Sequence, residues 1–200
     1  MREKLSVMTS HQEQVRARMR SAPLQAPPAP WRSLTPIAVG GLSCVGFGTL
    51  PGSPDDLLLV VSSNGRGLFD CATGTRIARD PDPDAGWPDT HELAHEGIGP
   101  LSGVFVPVAG LWGGGLHTTT PDGWTLDVVA PDWPVESVML SAAGGSPYRG
   151  EPGSSWWHVH REDACELRAV GFSPSGKALV IASSCTVTLF TRPFGMAREG

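Results

Sequence analysis

The chain has 200 residues, a hydrophobic share of 40%, a charged share of 18% and a formal net charge of −5. It is too apolar for a disordered chain, and no run of about 18 uncharged apolar residues could span a bilayer. Nucleic-acid-binding proteins usually carry excess positive charge, which a chain with a net negative charge lacks. The N-terminus has no signal-peptide pattern. We therefore expect a soluble, cytoplasmic protein with no nucleic-acid or membrane partner. Its 13 Arg against 2 Lys are typical of a GC-rich, bacterial genome.

The turn-forming residues indicate the fold class, and the spacing of the cysteines indicates their redox state. The 25 Gly and 19 Pro favour many short strands over a few long helices, which indicates an all-β body. None of the four cysteines forms a C-x-x-C pair, and each lies in or beside an apolar run. We expect all four to be reduced, buried thiols: Cys44, Cys71, Cys165 and Cys185.

The N-terminus carries the one convincing helical segment, residues 1–22. Ser10 and Glu13 have capping-box spacing, and Met8, Val15 and Met19 share a thin apolar face. Residues 24–31 are Pro-rich and resemble a polyproline spacer that holds the helix away from the body. We therefore expect two parts, a helix with its spacer over residues 1–30 and a β-rich domain over residues 31–196. The arginines on the helix could meet an acidic partner, although a solvated helix face is the simpler interpretation: Arg16, Arg18 and Arg20.

Short apolar runs separated by turns follow from Trp31 onward. Four predicted strands succeed one another with short connections: 44–48, 57–61, 67–71 and 76–78. The C-terminal part repeats this order with strands at 169–173, 178–182 and 186–191. Val170-Gly171-Phe172 matches Val45-Gly46-Phe47, and Ser183-Ser184 with Phe190 match Ser62-Ser63 with Phe69. This internal similarity predicts two equivalent units in which Leu59 and Val180 are core residues.

The repeated residues resemble a known family. The stretch from Val170 to Ser184 resembles the middle of a WD-repeat blade, and Phe69-Asp70 before Thr73-Gly74 is similar to the end of such a blade. Neither unit has the Gly-His dipeptide, and phenylalanine replaces the usual tryptophan. The resemblance covers about 60 residues and implies blade-like antiparallel hairpins.

Further strand-like runs lie between the two units, at 104–108, 124–129, 135–140 and 156–159, with a strong turn signal at 120–123. At roughly 40 to 45 residues per blade, the body has room for at most about four blades, the minimum for a closed ring, so an open or fused two-sheet arrangement is kept as an alternative. The expected fold is therefore all-β, a small or incomplete propeller-like arrangement of up to four blade-like antiparallel sheets with an N-terminal helix.

One motif has metal-site spacing, because His91, Glu92 and His95 fit H-E-x-x-H. On a helix, both imidazoles could bind one Zn²⁺ while the carboxylate acts as general base. Pro88 and Gly97 leave room for only a short helix, so we expect a solvated acidic loop without metal, and the zinc site is kept as the alternative. A third ligand would have to come from elsewhere: His117, Glu136, His158 or His160. His158 and His160 also share one face of a predicted strand, where a surface position is the simpler interpretation.

Tryptophans supply the candidate binding residues. Adjacent Trp156 and Trp157 cannot both face inward on a regular strand, so one of them is a candidate to face a partner. No nucleophile motif is present, and no catalytic residue or cofactor is expected. The expected function is a non-enzymatic protein–protein interaction module whose partner is an unidentified protein. A bacterial immunity or defence-associated role is an association with this kind of small protein, and a zinc-dependent hydrolase is the alternative.

Overall fold

The computed structural model describes residues 9–86 and 92–193. The helix α1, Ser10–Ser21, begins at the N-cap residue Thr9, whose side chain accepts a hydrogen bond from the Gln12 amide while the Gln12 side chain accepts one from the Thr9 amide. The capping box predicted at Ser10 and Glu13 therefore lies one residue too late. Among the described residues, no helix is long and apolar enough to cross a membrane.

All the remaining long elements are strands, as the sequence predicted. Fifteen are described: β1 Arg32–Ser33, β2 Ile37–Ala38, β3 Leu42–Thr49, β4 Asp56–Ser62, β5 Gly65–Asp70, β6 Arg76–Asp80, β7 Ala94–Glu96, β8 Phe105–Pro107, β9 Ala109–Gly110, β10 Thr125–Asp132, β11 Val135–Ser141, β12 Trp156–Glu162, β13 Leu167–Phe172, β14 Ala178–Ser183 and β15 Thr186–Thr191. The all-β class with an N-terminal helix is confirmed.

The strands form three main antiparallel sheets and one short hairpin, and none of the sheets closes into a barrel. The N-terminal sheet has the order β6-β5-β4-β3-β9, and the middle sheet has the order β10-β11-β12. The C-terminal sheet has the order β1-β15-β14-β13, with β2 also paired to β15. Strands β7 and β8 form the hairpin.

The two units of the internal repeat share one strand register. An offset of 125 for the first strand and 121 for the next two maps every pairing of β13 with β14, and of β14 with β15, onto a pairing of β3 with β4 or of β4 with β5. Three examples are Val45↔Val60 with Val170↔Ile181, Leu58↔Phe69 with Leu179↔Phe190, and the bulges at Leu42/Cys44 and Leu167/Ala169. The predicted equivalence of the two units is therefore confirmed down to the position of the bulge.

The fourth strand of each unit has a different origin. In the N-terminal sheet, β6 follows β5 along the chain and pairs with it. In the C-terminal sheet, β1 and β2 from the N-terminal side of the body pair with β15. The two ends of the β-rich body thus meet in one sheet, and the long edge of β15 is covered.

The sheets stack through faces that are not equivalent. Val60 of the N-terminal sheet and Val180 of the C-terminal sheet lie in one buried cluster. Within the repeat Val180 corresponds to Leu59, which points to the opposite face and packs on Leu101. Two repeats related by a two-fold axis would present the same face to each other. These units instead pack front to back.

The stack has the order N-terminal sheet, C-terminal sheet, middle sheet, and other elements cover both ends. Leu179 and Ile181 pack on Val138 and Leu140 of the middle sheet. The outer face of the N-terminal sheet is covered by apolar residues from the region of β7 and β8: Ile98, Leu101, Val106 and Val108. Terminal elements that cover open apolar faces are a general requirement of stacked units.

Helix α1 covers the outer face of the middle sheet. Met19 is buried there with Ala22 against Met139 and Trp156. The spacer is also attached, since the Gln25 amide donates a 2.9 Å hydrogen bond to the His158 carbonyl. The expectation that residues 24–31 hold the helix away from the body is therefore wrong.

The four cysteines fall into two pairs. Cys44 and Cys71 are buried free thiols, as expected. Burial raises the pKa of Cys44 to about 11, and burial with nearby carboxylates raises that of Cys71, so both remain protonated. Cys165 and Cys185 form a disulfide, so the expectation that all four are reduced is wrong.

The internal repeat predicts where a second disulfide can be introduced by mutation. Gly40 and Asn64 are the counterparts of Cys165 and Cys185, and a Cβ atom on Gly40 would lie 3.9 Å from the Asn64 side-chain nitrogen. We expect the double variant Gly40→Cys/Asn64→Cys to form a disulfide on air oxidation. Thiol titration of the unfolded protein should find the same number of free thiols as in wild type, whereas Gly40→Cys alone should show one more. Two additional free thiols in the double variant would contradict the equivalence.

A buried arginine ties the end of β15 to two turns. Arg192 donates two hydrogen bonds of 2.6 and 2.5 Å to the Asp122 carboxylate and one of 2.8 Å to the Gly176 carbonyl. Its guanidinium also lies 4.7 Å from the ring centre of Trp31, which stacks on Phe172. A bidentate pair of this kind fixes both position and orientation.

The Asp122–Arg192 pair predicts a pH dependence of stability. Hydrogen bonds from Arg192 hold the pKa of Asp122 at about 2, below the unfolded value of about 3.9. A depressed folded pKa stabilises above about pH 4, and the contribution is lost as the pH falls toward 2. Because the carboxylate is half exposed, we expect less than about 1 kcal/mol. Urea unfolding of wild type and Asp122→Asn at pH 2, 3, 4 and 6 should show the difference shrinking in that window. A difference that is constant with pH would contradict the assignment.

Candidate functional site

The candidate site lies where α1 crosses the end of the β10–β11 hairpin. Arg16 donates a 2.6 Å hydrogen bond to the Pro131 carbonyl, and Arg18 donates one of 2.9 Å to the Tyr148 carbonyl. Arg20 forms an ion pair with Asp132. The three arginines therefore anchor the helix to the body, so they form neither a simple solvated face nor a free basic surface.

An apolar hollow of about 350 Å³ lies between the helix and the hairpin. We call it the helix–hairpin groove; its main apolar lining comes from Val15, Met19, Ala130, Pro131 and Tyr148. The helix contributes one face and the middle sheet contributes the other. Arg16 and Met19, which attach α1 to the body, thus also line the groove.

Trp133 stands beside this groove at the tip of the hairpin. It occupies the turn between β10 and β11, two residues after Pro131, and 80% of its surface is exposed. Large aromatic side chains carry much of the binding energy in protein interfaces, and exposing one to water is unfavourable. Trp133 is thus a large exposed aromatic side chain only two residues along the chain from Pro131, which lines the groove.

Tyr148 gives this surface a polar edge. Burial raises the pKa of the Tyr148 hydroxyl, and the nearby carboxylate of Asp127 raises it further. Burial also raises the pKa of Asp127. The Tyr148 hydroxyl therefore stays protonated at neutral pH, where it can donate a hydrogen bond.

The tryptophans singled out in the sequence lie elsewhere. Trp156 is fully buried under α1, so it presents no surface to a partner. Trp157 faces the opposite side of β12 and packs on Trp124 with ring centres 6.1 Å apart. The alternation of the pair is as predicted, but the most exposed tryptophan of the described residues is Trp133. Its flanking prolines, Pro131 and Pro134, are a turn signal that could have found it.

The H-E-x-x-H segment does not have helical geometry in its described part. His91 lies outside the described residues, Glu92 lies in a turn and His95 lies in β7. The His95 side chain is buried, and its Nδ1 atom lies 3.4 Å from an Arg66 nitrogen. The helical arrangement on which the zinc alternative depends is therefore not present in residues 92–96.

His158 and His160 have separate environments. The Nδ1 atom of buried His158 lies 3.2 Å from the Ala22 carbonyl oxygen beneath the helix, whereas His160 pairs with Glu162 at 3.4 Å. The simple surface position expected for both is wrong for His158, which is buried. Within residues 9–86 and 92–193, no group of three or more histidine, cysteine, aspartate or glutamate side chains could hold a metal ion.

Comparison with known proteins adds no family assignment. No family model matches the chain. No curated protein matches it either.

Proposed function

We propose that this protein is a non-enzymatic interaction module that binds a protein partner through Trp133 and the helix–hairpin groove. The observation that carries the proposal is the exposure of Trp133 beside an apolar hollow. A partner helix or loop with apolar side chains would cover both and would accept a hydrogen bond from Tyr148. The arginines of α1 are engaged within the protein, so the proposed partner surface is apolar and not acidic.

Site-specific photo-crosslinking tests this proposal. A photoreactive phenylalanine analogue replaces Trp133 in the full chain, expressed in cells that naturally make the protein. Phe105 is the matched control because it is a 62% exposed aromatic residue on β8, outside the helix–hairpin groove. We expect one specific crosslinked protein from position 133 and not from position 105. The same product from both positions, or none from position 133, would overturn the proposal.

The front-to-back stacking supports a further part of the proposal, that the two units are related to propeller blades. The pairing of β1 and β2 with the last strand also supports it, because propeller rings are completed by joining the chain ends in one sheet. A role in bacterial immunity or defence stays a prediction, and identification of the crosslinked protein tests it.

The cytoplasmic location also stays a prediction. The Cys165–Cys185 disulfide bears on it, because structural disulfides persist mainly in oxidising compartments. Alkylation of free thiols in intact cells should modify these two cysteines if the protein resides in a reducing cytoplasm. Full protection of both would argue for another compartment.

A further inference from the structure

A second, separate groove lies beside the segment that runs from β1 through β2 to β3. We call this segment, residues 34–41, the strap. Just before it, Arg32 of β1 donates a 3.3 Å hydrogen bond to the Ala72 carbonyl. At the other end, the Ser63 amide donates a 3.0 Å hydrogen bond to the Gly41 carbonyl. Between these anchors the strap and the N-terminal sheet enclose a groove of about 540 Å³.

The groove is deep because Gly67 on its floor has no side chain. Val60, Gly67 and Phe69 line its floor on β4 and β5. A Cβ atom on Gly67 would lie 2.9 Å from the Phe69 ring, so any side chain there would enter the space above the ring. The floor is thus apolar and hollow, and its volume falls within the range of small-molecule sites, about 300 to 1,000 Å³.

The charge of the groove is opposite to that of the whole chain. Arg76 and Arg79 line it, and its lining includes no carboxylate, although the chain has a net charge of −5. Arg79 donates hydrogen bonds to backbone carbonyls, among them that of Arg66 at 3.1 Å, which hold its guanidinium in place. Arg76 is exposed, and its side chain makes no hydrogen bond or ion pair within the described part of the chain.

We propose that this groove binds a small organic anion, with its apolar body on Phe69 and Val60 and its carboxylate or phosphate on Arg76. A guanidinium group matches the planar geometry of such oxyanions with two parallel hydrogen bonds. The volume of the groove favours a small molecule over an extended peptide. This site is distinct from the helix–hairpin groove and does not depend on the proposed function.

Calorimetric titration with defined probes tests the proposal. Octanoate and octyl phosphate carry both an apolar chain and an anion, octanol lacks the charge, and inorganic phosphate lacks the chain. We expect octanoate or octyl phosphate to bind at least about tenfold more tightly than either control, and the stronger of the two identifies the headgroup. Equal affinity of octanol, or no binding of any probe at millimolar concentration, would overturn the proposal.

Variants locate the binding in the groove. Arg76→Gln should weaken binding of the anionic probe at least about tenfold. Arg149→Gln is the matched control, because Arg149 is also exposed but does not line the groove. Gly67→Leu should block the floor, and because it could disturb β5, circular dichroism must show that the variant is folded. Unchanged affinity in Arg76→Gln would place the binding elsewhere and contradict the proposal.

Discussion

Replacing Val180 with aspartate should cost more than about 3 kcal/mol of folding free energy and should make most of the protein insoluble. Val180 is fully buried in β14, between Gly171 and Leu189 on the neighbouring strands. Its side chain lies in the cluster between the N-terminal and C-terminal sheets. An unpaired carboxylate there would remain desolvated or would force the two sheets apart.

The soluble fraction and the thermal midpoint of the purified variant measure this effect. Leu59→Asp should behave alike, because Leu59 is the fully buried counterpart in the N-terminal sheet. Val128→Asp is the control, since Val128 lies in β10 with 46% of its surface exposed. A Val180→Asp protein that melts like wild type would contradict the stacked arrangement of the sheets.

Replacing Met19 with aspartate, or deleting residues 1–22, should destabilise the body. Met19 is the buried contact of α1 with the middle sheet, and removing it leaves Met139 and Trp156 uncovered. We expect Met19→Asp to cost more than about 2 kcal/mol, and the deletion to cost more still. For a domain of this size the thermal midpoint should fall by roughly 4 °C or more.

The control for this prediction is Leu24→Asp. Leu24 follows the helix and is 59% exposed, so its replacement should leave the thermal midpoint nearly unchanged. If deletion of the helix also left the midpoint unchanged, α1 would be the separable appendage that the Pro-rich spacer suggested. The cover on the middle sheet would then be dispensable.

The strands and their repetition were predictable because they depend on local patterns. Leu57 to Val61 and Ala178 to Ala182 are uninterrupted apolar runs bounded by turn residues, and their flanking strands match at fixed offsets. The register follows from these patterns, since a slip of one residue would turn every core side chain to the other face.

Long-range features were not predictable in the same way. Strands β1 and β2 have two residues each, too short for any pattern, and they become strands only through pairing with β15. The pairing of Cys165 with Cys185 depends on two neighbouring turns meeting in space. The stacking order of the sheets depends on tertiary packing. The packing of α1 on the middle sheet does too, and its only sign in the sequence is a thin apolar stripe along the helix.

In the candidate site, too, local features could be predicted from the sequence and long-range contacts could not. The sequence indicated one of Trp156 and Trp157 as a candidate to face a partner, whereas the most exposed tryptophan of the described residues is Trp133. Trp156 became buried because α1 covers its face of the sheet, a contact that no local pattern reveals. Trp133 owes its exposure to its place in the two-residue turn that it forms with Pro134, which is a local feature.

The affinity of the crosslinked partner for Trp133→Ala tests the central claim most directly. With the partner purified, calorimetry should show a loss of at least about 2 kcal/mol, a roughly 30-fold weaker Kd, for Trp133→Ala relative to wild type. Phe105→Ala, an equally drastic truncation on another surface, should bind as wild type does. Equal Kd values for wild type and Trp133→Ala would contradict the account.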